Sequence, residues 1–315
     1  MKYNTNTHLK GGSKMGRYKA AHALRSAEDL PFGQILIPTH KDGSWYNKLL
    51  LMVAVFGAFN ANAKTASEIL AMDLTPEKKG EAIFVELDKR DFGFGDMEVT
   101  LDMVLENAHG QRISKTQRNK ILEIEDPTLG DKSLIIFDEP RDVKGTAFLT
   151  YSKILEPDDQ WLYLPALKRV KRISSKNKSG PFVGSEFAYE DISSQEVEKY
   201  SYKYIENRPC GDMECFVVER FPLYAYSGYT KQICLVDAIE FRIISIDFYD
   251  RKSALLKTLK FEDYKQYLNQ YWRADKYLMV NHQNGKKTDI IWKDYKFRVG
   301  LKDSDFTTAK LKNIR

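Results

Sequence analysis

What most constrains this chain is a long succession of strand-type runs, separated by short turns, with little helical periodicity beside them. Val99, Leu101, Met103 and Leu105 alternate with Glu98, Thr100, Asp102 and Glu106, which is the period of a half-buried strand. His109 and Gly110 then turn the chain into a polar-alternating partner over 112–125. Further strands are predicted over 133–137, 146–154, 197–205, 216–221, 229–236, 242–249, 256–261, 276–281 and 289–299, most followed by Gly, Asp or Asn. Roughly ten strands in succession, joined by short turns, predict an antiparallel meander. Helical signals are confined to 65–70 and 76–87, where Thr75 can cap, Pro76 takes the first helical position and Glu77 stands in the first turn. Residues 303–311 close the chain as a short loop or helical turn.

The strands are rich in large residues on both faces, with Trp292 expected opposite Tyr295 and Phe297. A sheet with a helix lying in its concavity would bury the 18 Tyr and 17 Phe of the chain. Periodicity alone does not separate an open curved sheet from a closed barrel.

The first 63 residues read as a separate segment. Residues 49–59 are an apolar run of 11, preceded by Lys48 and followed by Ala61 and Ala63 in an A-x-A cleavage site. This is the layout of a secretory signal peptide, too short to span a membrane, which takes about 20 apolar residues. The polar stretch before it is longer than a usual n-region, so the true translation start is expected downstream of Met1. Cleavage after Ala63 leaves residues 64–315 as one domain, long enough for a sizeable core. Of 49 Lys+Arg and 44 Asp+Glu, the leader holds 8 and 3, leaving 41 of each sign. A neutral secreted domain argues against a nucleic-acid partner, whose affinity would come mainly from excess positive charge.

Cys210 and Cys215 flank a tight turn and can close a small disulfide in an oxidising compartment. A zinc pair is the competing reading; it is weak, because His109 and His282 are the only histidines after residue 63 and neither is near these thiols in sequence. No metal or cofactor is expected. Nucleophile signatures are also missing. Ser185 follows Gly184 but lacks the second glycine of a nucleophile elbow, and Ser175 with Lys178 matches S-x-x-K without its partner boxes. The chain is therefore not expected to be an enzyme.

The most informative stretch runs from Asp158 to Asp191. Trp161, Leu162, Tyr163 and Leu164 read as a short strand covered on both faces, ended by Pro165. A basic run follows, Lys168, Arg169, Lys171 and Arg172, then a polar loop leading to Phe182, Phe187 and Tyr189. On charge alone the basic run reads as a solvated face, and the aromatics read as core before they read as a ligand wall.

Asp159-Gln160-Trp161-Leu162-Tyr163-Leu164-Pro165-Ala166-Leu167, followed by Arg169, Arg172, Gly184, Ser185, Phe187, Tyr189, Glu190 and Asp191, resembles the outer-membrane lipoprotein-sorting family, relatives of the LolA carrier. The match is specific here and a matter of layout elsewhere. The resemblance implies a mostly-β fold with a few helices: an open antiparallel half-barrel whose concave face the helices cover. It implies a periplasmic carrier of a Gram-negative bacterium, shielding the acyl chains of a lipid or lipoprotein, with an RND/MMPL-type exporter as partner. On this reading Trp161, Leu162, Tyr163, Leu164, Phe182, Phe187 and Tyr189 line the ligand site, and Lys168, Arg169, Lys171 and Arg172 meet head groups at the rim. Other readings are a periplasmic sensor module like the sigma regulator RseB and, third, a lipid hydrolase.

Overall fold

The computed structural model describes residues 63–126 and 128–313. The apolar run 49–59 and Ala61 lie outside the described residues, which begin at Ala63. Two helices come first, α1 (Ala66–Ala71) and α2 (Pro76–Asp91). Thr65 and Glu68 cap each other's backbone N–H groups at the start of α1, and the Thr75 hydroxyl accepts from the Lys78 N–H at the start of α2. Thirteen strands follow: β1 (Asp96–Glu106), β2 (Arg112–Leu122), β3 (Leu129–Glu139), β4 (Ala147–Lys153), β5 (Asp159–Leu164), β6 (Arg169–Ile173), β7 (Tyr200–Cys210), β8 (Met213–Pro222), β9 (Tyr229–Asp237), β10 (Ile243–Asp250), β11 (Leu255–Tyr267), β12 (Tyr271–Asn281) and β13 (Lys287–Phe297).

All thirteen form one antiparallel sheet in the order β6-β5-β4-β3-β2-β1-β13-β12-β11-β10-β9-β8-β7. The chain enters the sheet at its middle, winds outward to the β6 edge, crosses to the β7 edge and winds back to β13 beside β1. Because β6 and β7 do not pair, the sheet is open, which settles the choice between barrel and half-barrel in favour of the half-barrel.

The crossing segment, residues 174–199, is a strap of short 3-10 turns. A flat sheet of this width would put its two edges about 58 Å apart at the usual strand spacing. The strap passes over one face, so that face becomes a hollow with contents. Its core joins Leu101, Phe137, Phe148, Phe216, Met279 and Ile290 of the sheet to Ile69, Ile83 and Phe84 of the helices and Phe182 and Phe187 of the strap. Gly80 brings α2 onto β7: a Cβ there would lie 2.8 Å from the Tyr204 nitrogen. One turn further along, Phe84 packs on Tyr202 at 4.7 Å between ring centroids. Over β3 to β5 the outer face is covered, where Phe306 and Leu311 of the C-terminal segment bury Leu134, Ile136, Leu149 and Tyr163.

Three local expectations are corrected. The basic run, read only as a solvated face, lies mostly in a strand, since Arg169–Ile173 is the edge strand β6, whose charges blunt an exposed row of N–H and C=O groups. β11 continues past Phe261 to Tyr267 although its far end is polar, because it pairs with β12 through backbone bonds as far as Tyr267 and Tyr271. Finally, Trp292 and Tyr295 share a face, stacked at 6.1 Å. A left-handed residue at Asp294 (φ 52°) shifts the register there and defeats period-two counting.

Candidate functional site

The alternation of β5 divides the residues of the central motif. Leu162 and Leu164 belong to the inner core, while Trp161 and Tyr163 pack on the outer face under the C-terminal segment, with Trp161 5.0 Å from Tyr151. Phe182, Phe187 and Tyr189 of the strap join Leu162 and Leu164 on the inner side. Phe182 is fully buried and meets Phe148 at 5.1 Å and Tyr189 edge-on at 5.6 Å. The hollow therefore gathers five of the seven residues, and Trp161 and Tyr163 stand on the wrong face to touch anything in it.

The basic run divides in the same way. Arg169 and Lys171 pair across from Leu164 and Leu162, so they stand at the rim of the concave face. Arg172 pairs across from Trp161 and is ion-paired with Asp159 on the outer side. Lys168 occupies a left-handed turn position, exposed to solvent.

The strap is held by buried polar groups that sequence reasoning did not single out. The Lys257 ammonium of β11 lies 2.6 Å from Asp191 and donates to the Glu186 carbonyl at 2.8 Å; both side chains of the pair are about 5% exposed. The Tyr229 hydroxyl donates to the same Asp191 at 2.9 Å. Glu190 accepts from Tyr224 at 3.0 Å, Ser227 at 2.7 Å and the Gly228 N–H at 2.8 Å. Burial pushes the Glu190 carboxyl above its ordinary value, with the neighbouring Asp191 charge adding to the effect. Arg220, 1% exposed, donates to Gln232 and to Gln195 of the strap, and its guanidinium rests 4.5 Å from the Tyr200 ring. Lys199 and Asp158 close the far end at 2.6 Å. One signal for this was available: Lys257 stands in the same alternating set as Leu259 and Phe261, a cation on an apolar face.

The strap crosses one end of the hollow. The Glu186 N–H donates to Thr288, and Thr288 pairs with Leu105 near the C-terminal end of β1. Toward the opposite end of β1 the same face carries an aromatic wall. Phe261 meets Tyr277 at 4.7 Å, Tyr277 meets Trp292 at 5.2 Å, and Trp292 stacks on Tyr295. These rings are half-buried, unlike the sealed phenylalanines beneath the strap. Burial pushes the Tyr277 hydroxyl up to about 12, against the lowering effect of the nearby Arg273 charge. A wall of this kind can hold hydrocarbon. No group of metal-ligating side chains occurs among the described residues. A groove of about 350 Å³, lined by Glu77, Lys78, Glu81, Tyr202 and Phe221, lies apart from this wall between α2 and the β7 edge. Cys210 and Cys215 are joined as a disulfide in the β7–β8 hairpin, and Cys234 is a buried free thiol. No described helix is long and apolar enough to cross a membrane.

The comparisons with known proteins follow the same lines. A family model described only as "Uncharacterized protein" matches residues 130–313. No curated protein matches the chain. Among solved structures, a domain described as an outer membrane lipoprotein-sorting protein from Vibrio parahaemolyticus is 52% identical, with 75% of this chain and 99% of that one covered and a TM-score of 0.73. A DUF1329 family protein from Desulfovibrio piger is 28% identical over 76% of this chain and all of that one, with a TM-score of 0.72. A LolA superfamily protein from Nitrosomonas europaea shares the fold at 21% identity, with 73% and 98% covered and a TM-score of 0.59.

Proposed function

The chain belongs to the outer membrane lipoprotein-sorting family, and from that premise we propose that it is a periplasmic carrier. It holds the acyl chains of a lipid or lipoprotein in the hollow of the half-barrel and passes them toward the outer membrane. The observation that carries this reading is the half-buried aromatic wall that runs along the concave face away from the strap. Each methylene moved from water onto such a surface is worth about 0.8 kcal/mol, so a chain of ordinary length is held without covalent chemistry. Arg169 and Lys171, at the rim of the same face, meet the anionic head group. In this reading residues 64–315 are the mature domain, released by cleavage after Ala63, in the periplasm of a Gram-negative bacterium. An inner-membrane exporter of the RND/MMPL type is the partner that loads or receives the cargo.

The test is native mass spectrometry of protein purified from periplasm, together with a fluorescent fatty-acid titration. Bound lipid should be found, and Tyr277→Lys should weaken the titration at least tenfold with the melting curve nearly unchanged, because a charge in the wall must be desolvated to admit hydrocarbon. Absence of lipid in both measurements would refute the carrier. Turnover of a lipid ester by the purified protein would refute the non-enzymatic reading.

A further inference from the structure

Three polar groups in the hollow are sealed from water and bonded to nothing. Gln117 and Asn119 of β2 are 2% and 6% exposed. Their side-chain oxygens, and the indole Nε1 of Trp292, have no hydrogen-bond partner. The fourth such atom among the described residues, Thr150 Oγ1, lies farther off on β4, beside Gln160.

The three stand together. Gln117 and Trp292 flank Leu101 from the strands on either side, and Asn119 lies between Val99 and Ile135 on the next row. Strand spacing and a two-residue step make this a patch about 10 Å by 7 Å. Around it the concave face is apolar: Val99, Leu101, Ile135 and Phe137 are all buried. Gln and Asn thus occupy positions where a leucine would fit the surface, and an unpaired buried amide oxygen is destabilising. The patch adjoins the aromatic wall, sharing Trp292 with it, and starts one row further from the strap than Tyr277.

We propose that this patch receives the polar linkage of the cargo, and that the linkage is an amide. The inference rests on the carrier reading and specifies its cargo. Two orphaned carbonyl oxygens call for an N–H, and an orphaned indole N–H calls for a carbonyl. An amide joins both on adjacent atoms. An ester offers only the acceptor: it leaves both oxygens unpaired as the carboxamides stand, and can pair with Gln117 or Asn119 only if a carboxamide turns to present its NH2, whereas an amide pairs with them as they are.

The experiment uses the mature protein and two probes that differ in one group, N-methylhexadecanamide and methyl hexadecanoate, each displacing a fluorescent fatty acid. The amide should bind at least about fivefold tighter, the worth of one neutral hydrogen bond. Gln117→Leu and Asn119→Leu should each bring the ratio toward one and leave ester binding unchanged, while Trp292→Phe, which also alters the wall, should bring the ratio toward one whatever it does to both affinities. They should also keep or raise the melting temperature of the empty protein, because each removes a group with no partner. Equal affinity of the wild type for both probes overturns this inference and leaves the carrier reading intact. So does a preference that survives all three substitutions. Variants that melt earlier and lose both probes show a structural role and overturn it as well. Failure of both probes to bind the wild type sinks the carrier reading, and this inference with it.

Discussion

Replacing Lys257 with methionine tests whether the strap is held by charge. Met keeps the length and volume of the side chain and removes the ammonium. Asp191 is then left about 5% exposed with an unpaired carboxylate. Breaking a buried pair from one side costs about 3–5 kcal/mol. The lower end applies, because Asp191 still accepts from the Tyr229 hydroxyl at 2.9 Å and the Ala188 N–H at 2.7 Å. A loss of about 3 kcal/mol lowers the melting temperature of a domain this size by about 6–12 °C. Removing the carboxylate as well, in Lys257→Met with Asp191→Asn, should restore about 2 kcal/mol, since the penalty comes from the stranded charge. Urea unfolding of the wild type, both single variants and the double variant gives the cycle. Limited proteolysis should meanwhile cut Lys257→Met within 174–199. A single variant within about 1 kcal/mol of wild type, or a double variant as unstable as the two losses added, would refute the argument.

Burial, opposed by the Ile124 N–H, pushes the Asp131 carboxyl up to about 7 from 3.8. A folded value above the unfolded one means this group stabilises fully below about pH 4 and loses that contribution as pH rises toward about 7. Asp131→Asn should flatten the urea midpoint across that window and raise it at neutral pH; a wild-type profile that rises there would be the contrary result. Gly80→Ala should cost about 2 kcal/mol, because the new Cβ meets β7 backbone that cannot yield and overpacking outweighs the gain of about 1 in helix propensity; an unchanged chemical midpoint would contradict that contact. Replacing Cys210 and Cys215 together by serine should cost about 2 kcal/mol in oxidising buffer and nothing once the wild type is reduced; equal loss in both buffers would point to packing instead.

Much of the fold was legible because period-two alternation survives wherever one sheet face is covered. Val99, Leu101 and Met103 read correctly for that reason. Legibility failed where the backbone, and not burial, sets the structure. β6 is an edge strand made of charges, and Asp294 inserts a bulge that no composition signals. The central motif marked out strand β5 and the aromatics Phe182, Phe187 and Tyr189 that the structure brings against it. It could not say that Trp161 and Tyr163 serve the outer face, since a strand covered on both sides looks the same from either. The aromatic wall was visible only as an excess of Tyr and Phe, because its rings come from β11, β12 and β13 and meet through pairing. Gln117 and Asn119 passed as ordinary polar strand positions, since which face of β2 is buried is decided by partners distant in sequence.

The pairing of β1 with β13 has a consequence for the order in which the molecule can become itself. Every other neighbour in the sheet is also a neighbour along the chain, but Thr100 and Lys293 meet across 193 residues. Each half, β1 to β6 and β7 to β13, can zip locally at low loop-closure cost, whereas the join between them must wait for the last strand. Trp292 stands on one side of that join and Gln117 on the other, with Leu101 between. A molecule gripped by both sides binds the joined state alone and so stabilises it by mass action. On the proposed carrier reading, a chain with β13 still missing has neither the full wall nor the grip, and would not load early.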